Sequence, residues 1–163
     1  MNGQPELYKV LDELKIQFEY YEHPPAPTIE EAIKYWEDLK ATHCKNIFFR
    51  NHKGNRHYLV ILEHRQALDI HDLEKRLKQG KLTFASPERL MKHLSLTPGS
   101  VTPFGLINDK ANHVYVFFDE NLKVLTRHNL NLPALKHIEP RQQKLFRLFF
   151  NLEKMDTSFS ANH

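Results

Sequence analysis

The stretch CKNIFFRNHKGNRHYLVILEH, residues 44 to 64, constrains the fold more than any other part of the chain. Two apolar runs flank NHKGN, whose Lys-Gly-Asn centre supplies the backbone freedom that a hairpin turn requires. The segment predicts two paired strands, and the remaining elements must cover them. Before it, PELYKVLDELKI sets Leu7, Val10, Leu11 and Leu14 at helical spacing, which predicts an amphipathic helix over about residues 5 to 15. QFEYYEH reads as a strand. PPAPTIEEAIKYWEDL reads as a second helix, with Thr28 as N-cap, Glu31 in the capping-box position and Ala32, Ile33, Trp36 and Leu39 on the apolar face.

Beyond the hairpin, Asp69 or Asp72 is placed to open a helix containing Leu73 and Leu77. SPERLMKHL announces another: Ser86 as N-cap, Pro87 at the first helical position and Glu88 in the first turn. The loop SLTPGSVTPFGLIND, residues 95 to 109, then holds two of the chain's five glycines and two of its nine prolines. Glycine lets a ligand approach the main chain, whereas proline fixes φ and removes a donor, so the loop is either a corner or a cradle. HVYVFFDENL follows as an alternating to continuous apolar run that reads as a strand, and KVLTRHNLN as a further short one. Leu145, Phe146, Leu148, Phe149 and Leu152 give EPRQQKLFRLFFNLEKM the broad apolar face of a last helix, at about 140 to 155. The whole predicts one mixed α/β domain spanning residues 1 to 163, its sheet curved and mostly antiparallel and flanked by helices.

Charge and composition exclude little by themselves. Lys and Arg exceed Asp and Glu by 23 to 20, a balance that permits RNA binding without demanding it. Cys44 is the only cysteine, so no intrachain disulfide forms and a reducing cytoplasm is expected. The N-terminal stretch has no long apolar run, so neither a signal peptide nor a membrane association is expected. Eleven histidines occur without His-Glu-x-x-His or Cys-x-x-Cys spacing, so no metal site and no cofactor are expected. Cys44 beside His43 suggests a nucleophile and its base, but neighbours on a strand point to opposite faces and an incidental thiol is the better reading. Walker, G-x-G-x-x-G and G-x-S-x-G patterns are missing, which removes the usual marks of nucleotide hydrolysis, dinucleotide redox chemistry and serine esterases. What remains is the segment Gly99 to Pro103, the lysine of CKNIFFRN, and HPPAPT.

Four ordered segments carry a resemblance: HPPAPTIEEA from His23, CKNIFFRNHKGNRHYLVIL from Cys44, KLTFASPERLMKHLSLTPGSVTPFGLIND from Lys81 and HVYVFFDENL from His113. Together they resemble the YbaK/ProX family of aminoacyl-tRNA deacylases, free-standing relatives of the editing domain of bacterial prolyl-tRNA synthetases. Within it, KN followed by an apolar strand and a charged turn is similar to the ProX branch, which removes alanine mischarged onto proline tRNA. The YbaK branch, acting on cysteinyl-tRNA(Pro), is the runner-up, and a catalytically inactive module binding tRNA or a synthetase is the alternative from another class. His128 and Asn131 match a histidine and an asparagine of relatives, while the proline that follows that histidine there is absent here.

The resemblance implies hydrolysis of an aminoacyl ester by a positioned water, with a loop to stabilise the oxyanion. Lys45, Gly99, Ser100 and Pro103 are the implied catalytic set, with Lys45 on the terminal phosphate or ribose and the loop beside it at the rim of one cleft. Thr28, Ile47, Phe49, Thr102, Phe104 and His128 are the implied substrate-binding residues, and Ile47, Phe49, Leu59 and Phe104 the wall that admits alanine and refuses proline. The implied partners are mischarged tRNA(Pro) and a prolyl-tRNA synthetase, and the protein is expected to be a monomer.

Overall fold

The computed structural model describes residues 5–13, 24, 31, 34–35 and 43–119. The expected QFEYYEH strand, most of the second helix with Thr28, the strand after Leu122 and the C-terminal helix lie outside the described residues, as do His128 and Asn131. Helix α1 spans Pro5–Glu13 and buries Leu11. Strands β1, Cys44–Arg50, and β2, His57–Glu63, form the expected hairpin, antiparallel from Cys44 opposite Glu63 to Arg50 opposite His57. Its turn is organised by Asn51, which is fully buried. The Asn51 side-chain oxygen accepts from the N–H groups of Asn55 and Arg56, both at 3.1 Å, and Gly54 adopts φ +69°.

Helix α2 spans Ile70–Leu77, and Asp69 caps it by accepting from Asp72 N–H at 3.0 Å. The two-residue strand β3, Thr83–Phe84, pairs antiparallel with Arg50 and Phe49 of β1. Helix α3, Pro87–Leu94, begins as read from the sequence, with Ser86 at the N-cap and Pro87 at the first position. The Ser86 hydroxyl does not cap the backbone, however; it bonds the Glu88 carboxylate. The apolar FGLIN is wound into a 3-10 helix, Pro103–Asn108, and β4, Val114–Phe118, runs parallel to β2 from His57 opposite Val114 to Ile61 opposite Phe118.

The sheet order is therefore β3-β1-β2-β4, with two antiparallel ladders and one parallel. A parallel neighbour needs a long crossover, and α2, β3, α3 and the 3-10 helix provide it. Alternation along the strands divides the core in two. On one face Phe48, Leu59, Ile61, Val114 and Val116 pack under Leu90 and Leu94 of α3 and Leu106 of the 3-10 helix. On the other, Phe49, Tyr58, Val60, Leu62 and Phe117 pack with Leu73 of α2 and Leu82. Covering both faces accounts for the unbroken apolar run of β2, which an exposed sheet face would have interrupted with polar residues.

Candidate functional site

Helix α3 ends at Ser95, which takes a left-handed conformation (φ 55°), and the chain turns back over the sheet through residues 96–102. Ser100 closes this turn on itself: its N–H donates to Thr97 O at 3.1 Å and its hydroxyl donates to the same oxygen at 2.8 Å. Gly99 stands in the turn with φ +84°, exposed, and a Cβ added to it meets nothing within 4 Å. Thr102 caps the following 3-10 helix, accepting from Phe104 N–H at 3.4 Å, and Pro103 takes its first position, where no N–H is needed. Phe104 leaves its ring 45 % exposed. The N–H groups of Gly99, Val101 and Thr102 have no hydrogen-bond partner among the described residues.

Asn46 holds this loop to the sheet. Its side-chain nitrogen donates to Val101 O at 3.0 Å, whereas its side-chain oxygen is buried and has no partner among the described residues. The sequence reading placed Lys45 beside the loop. By the pleat of β1 Lys45 shares a face with Ile47 and Phe49, and its neighbour Asn46 shares the face of Phe48 and the loop. Lys45 is half-buried, and β3 pairs only with Phe49 and Arg50, so no described strand flanks β1 at Lys45 on that side.

The expected selectivity wall does not assemble from its four named residues. Phe49 is 1 % exposed, stacked on Phe84 in one core, while Leu59 is 0 % exposed in the core of the opposite face. Ile47 packs with Phe49, and Phe104 alone belongs to the loop side. Cys44 is half-buried against the core under α3, and burial with the nearby Glu63 carboxylate raises its thiol above the ordinary value, opposite to what a nucleophile needs.

A second constellation went unread in the sequence. His57 at the start of β2, His93 in the last turn of α3 and His113 just before β4 bring ring nitrogens within 4.8 Å of one another. The sequence reading had these histidines scattered; the fold makes them converge. Arg89 Nη1 lies 3.0 Å from His57 Nε2, and because a guanidinium only donates, Nε2 accepts and the ring proton sits on Nδ1. That proton faces His113 Nε2 at 2.8 Å. Burial, then the neighbouring His93, His113, Arg89 and Lys92, push the pKa of His57 down to about 3. His93 is lowered for similar reasons, with the Asp109 carboxylate opposing. Asp109 itself accepts the N–H groups of His113 and Val114 at 3.0 and 2.7 Å, which sets the backbone on which His113 stands.

The loop held over one sheet face on this framework is that of an editing domain: the chain belongs to the aminoacyl-tRNA editing domain family, whose model matches residues 23–136. It is 43 % identical over 122 residues to the prolyl-tRNA editing protein ProX of Acetoanaerobium sticklandii, covering 75 % of this chain and 74 % of that protein. It is 34 % identical over 113 residues to the prolyl-tRNA synthetase associated domain-containing protein 1 of Mus musculus, covering 68 % of this chain and 67 % of that protein. A solved structure assigned as a candidate trans-editing enzyme for prolyl tRNA synthetase superposes with a TM-score of 0.53 at 24 % identity, over 74 % of this chain and 76 % of that one, and shares its fold.

Proposed function

We propose that this chain is a trans-editing aminoacyl-tRNA deacylase of the cytoplasm that hydrolyses alanyl-tRNA(Pro). Water adds to the ester carbonyl, the carbonyl carbon to ribose oxygen bond breaks, and alanine and the free terminal ribose hydroxyl are released. The observation that carries the reading is the turn at Gly99: N–H groups at Gly99, Val101 and Thr102 without a partner among the described residues, on a loop tied to β1 by Asn46. Preorganised donors of this kind stabilise an oxyanion by about 2.7–4 kcal/mol each. Pro103 stiffens the loop, Ser100 closes its turn, and Thr102 fixes where the 3-10 helix begins.

Lys45, on the other face of β1 from the loop and at a stretch that no described strand flanks on that side, supplies a cation on a flexible stem that reaches round the strand to the terminal phosphate or ribose. Thr28 and His128 complete the substrate surface on the family resemblance, Ile47 and Phe49 share the Lys45 face of β1, and Phe104 forms the wall that a proline ring meets and an alanine methyl does not. A prolyl-tRNA synthetase is the partner suited to deliver the substrate to a monomer of this size.

The purified protein, given alanyl-, cysteinyl- and prolyl-tRNA(Pro), is expected to release alanine fastest and leave proline bound. Preferred release of cysteine would move it to the other branch of the family, and protection of all three esters would make it a binding module. Lys45→Ala is expected to lower kcat/KM by about 10- to 150-fold, the loss of one charge-assisted contact of about 1.5–3 kcal/mol, with the thermal midpoint nearly unchanged. An unchanged rate would return Lys45 to a solvated surface cation.

A further inference from the structure

We propose that His57, His93 and His113 form a binding site for one divalent transition-metal ion of the imidazole-preferring class, with zinc as the representative ion. Three separate elements bring their ring nitrogens within 4.8 Å of one another. Zinc–nitrogen bonds of about 2.0–2.1 Å in tetrahedral geometry put ligand nitrogens about 3.3 Å apart, a separation these rings reach by rotating out of their stack. His57 Nδ1 and His113 Nε2 are already 2.8 Å apart and need only open around the ion. His57 is clamped by burial and by stacking on Phe48, while His93 and His113 are half-buried and stacked on each other at 4.4 Å, a stack that must open for both rings to face the ion. A neutral imidazole is the binding form. Three histidines leave a fourth position for water.

Two cations oppose the site, and they make it testable. Arg89 Nη1 holds the ring proton of His57 on Nδ1, the atom that must bind the ion. Metal binding moves that proton to Nε2, where it faces the guanidinium donor, so Arg89 must withdraw from the ring and keep only Gly54 O, now 2.6 Å away. Lys92, next to His93, adds a repulsion that at this ring exceeds that of Arg89, and the Asp109 carboxylate partly offsets both. The site is thus a three-histidine set held back by Arg89 at His57 and by Lys92 at His93. Its place is structural rather than catalytic. Asn46 pairs with Ile61 and Arg50 with His57, so the cluster lies four residues along the strand from the loop anchor, about 13 Å at 3.3 Å per residue. An ion there ties α3 to β2 and β4.

The test uses the full chain freed of metal by chelator and titrated with zinc by calorimetry, and with cobalt(II) by visible absorption. One saturable ion per chain is expected, with cobalt giving the intense absorption of a tetrahedral nitrogen site and zinc raising the thermal midpoint. His93→Ala and His113→Ala should each weaken binding by more than about tenfold, and Arg89→Met should tighten it. Each variant's circular dichroism verifies that it is folded. No saturable binding by the folded parent, or equal binding by folded His93→Ala and His113→Ala, would overturn the proposal. Deacylation takes no part in these readouts, so a failure of the editing reading leaves this test intact.

Discussion

Gly99 and Gly105 stand in one loop and answer different demands. At Gly99 the φ of +84° is the constraint and space is not, since an added Cβ touches nothing within 4 Å. Gly99→Ala therefore carries the left-handed strain of about 1–2 kcal/mol and no packing cost. On the cradle reading its turnover per folded molecule falls as well, because the methyl group stands where the ester must approach. Turnover per folded molecule equal to the parent, with a lower melting temperature, would make the turn a corner. Gly105 is buried, and a Cβ there would lie 2.6 Å from Leu96 Cδ1 and 3.0 Å from Leu94 O. Gly105→Ala is expected to cost about 1–3 kcal/mol through overpacking, lowering the melting temperature by more than Gly99→Ala does while sparing turnover per folded molecule. The sequence marked both glycines as special but could not tell them apart, because φ and neighbouring atoms are set by the fold. The same reason hid the histidine cluster: positions 57, 93 and 113 have no ligand spacing, and only the parallel pairing of β2 with β4 and the packing of α3 bring them together. Asn46 carries no mark in CKNIFFRN beside the charge of Lys45, and strand parity with Phe48 puts it on the loop's side only once that face is known.

At the scale of elements, local chemistry was legible wherever it was enough to decide the structure. Asp69 and the Ser86-Pro87 pair mark real helix starts, and Lys-Gly-Asn a real hairpin, because caps and turns are short-range. FGLIN resisted reading because a short apolar run has no period of its own, and Thr102 and Pro103 wind it into a 3-10 helix. Between elements, Glu74 of α2 does work that no pattern announces: its carboxylate accepts Leu82 N–H at 2.6 Å and joins the helix to the approach to β3. That bond, assisted by His71, lowers the Glu74 pKa below the ordinary glutamate value. A depressed carboxylate contributes stability that is present above its unfolded pKa and lost as pH falls through the folded one. Glu74→Gln should therefore melt below the parent at neutral pH, and the gap should close on acidification beneath the ordinary glutamate range. A gap that stays constant down to acid would assign the effect to shape rather than charge.

For the molecule as a whole, the sequence conveyed a mixed α/β sheet flanked by helices but not the order β3-β1-β2-β4 or the parallel β2–β4 pairing, since long-range pairing leaves no local mark. Among the described residues no helix is long and apolar enough to cross a membrane. Net charge bears on the proposed substrate more directly. With 23 basic against 20 acidic residues, the formal charge is +3, a small net pull on a polyanion. A chain of this charge gripping only the single-stranded end of a tRNA neutralises about three phosphates or fewer, so log kcat/KM should fall with log salt at a slope no steeper than about −2. Lys45→Ala should make that slope shallower by about 0.7, the share of one phosphate contact, if Lys45 meets the terminal phosphate. Recognition of the tRNA body must then come from elsewhere, and adding a prolyl-tRNA synthetase should restore kcat/KM at a salt concentration where the isolated chain has lost it. A slope several units steeper would mean that the isolated chain grips the tRNA body itself. A slope unchanged by Lys45→Ala would take Lys45 off the phosphate and leave the ester to the Gly99 loop alone.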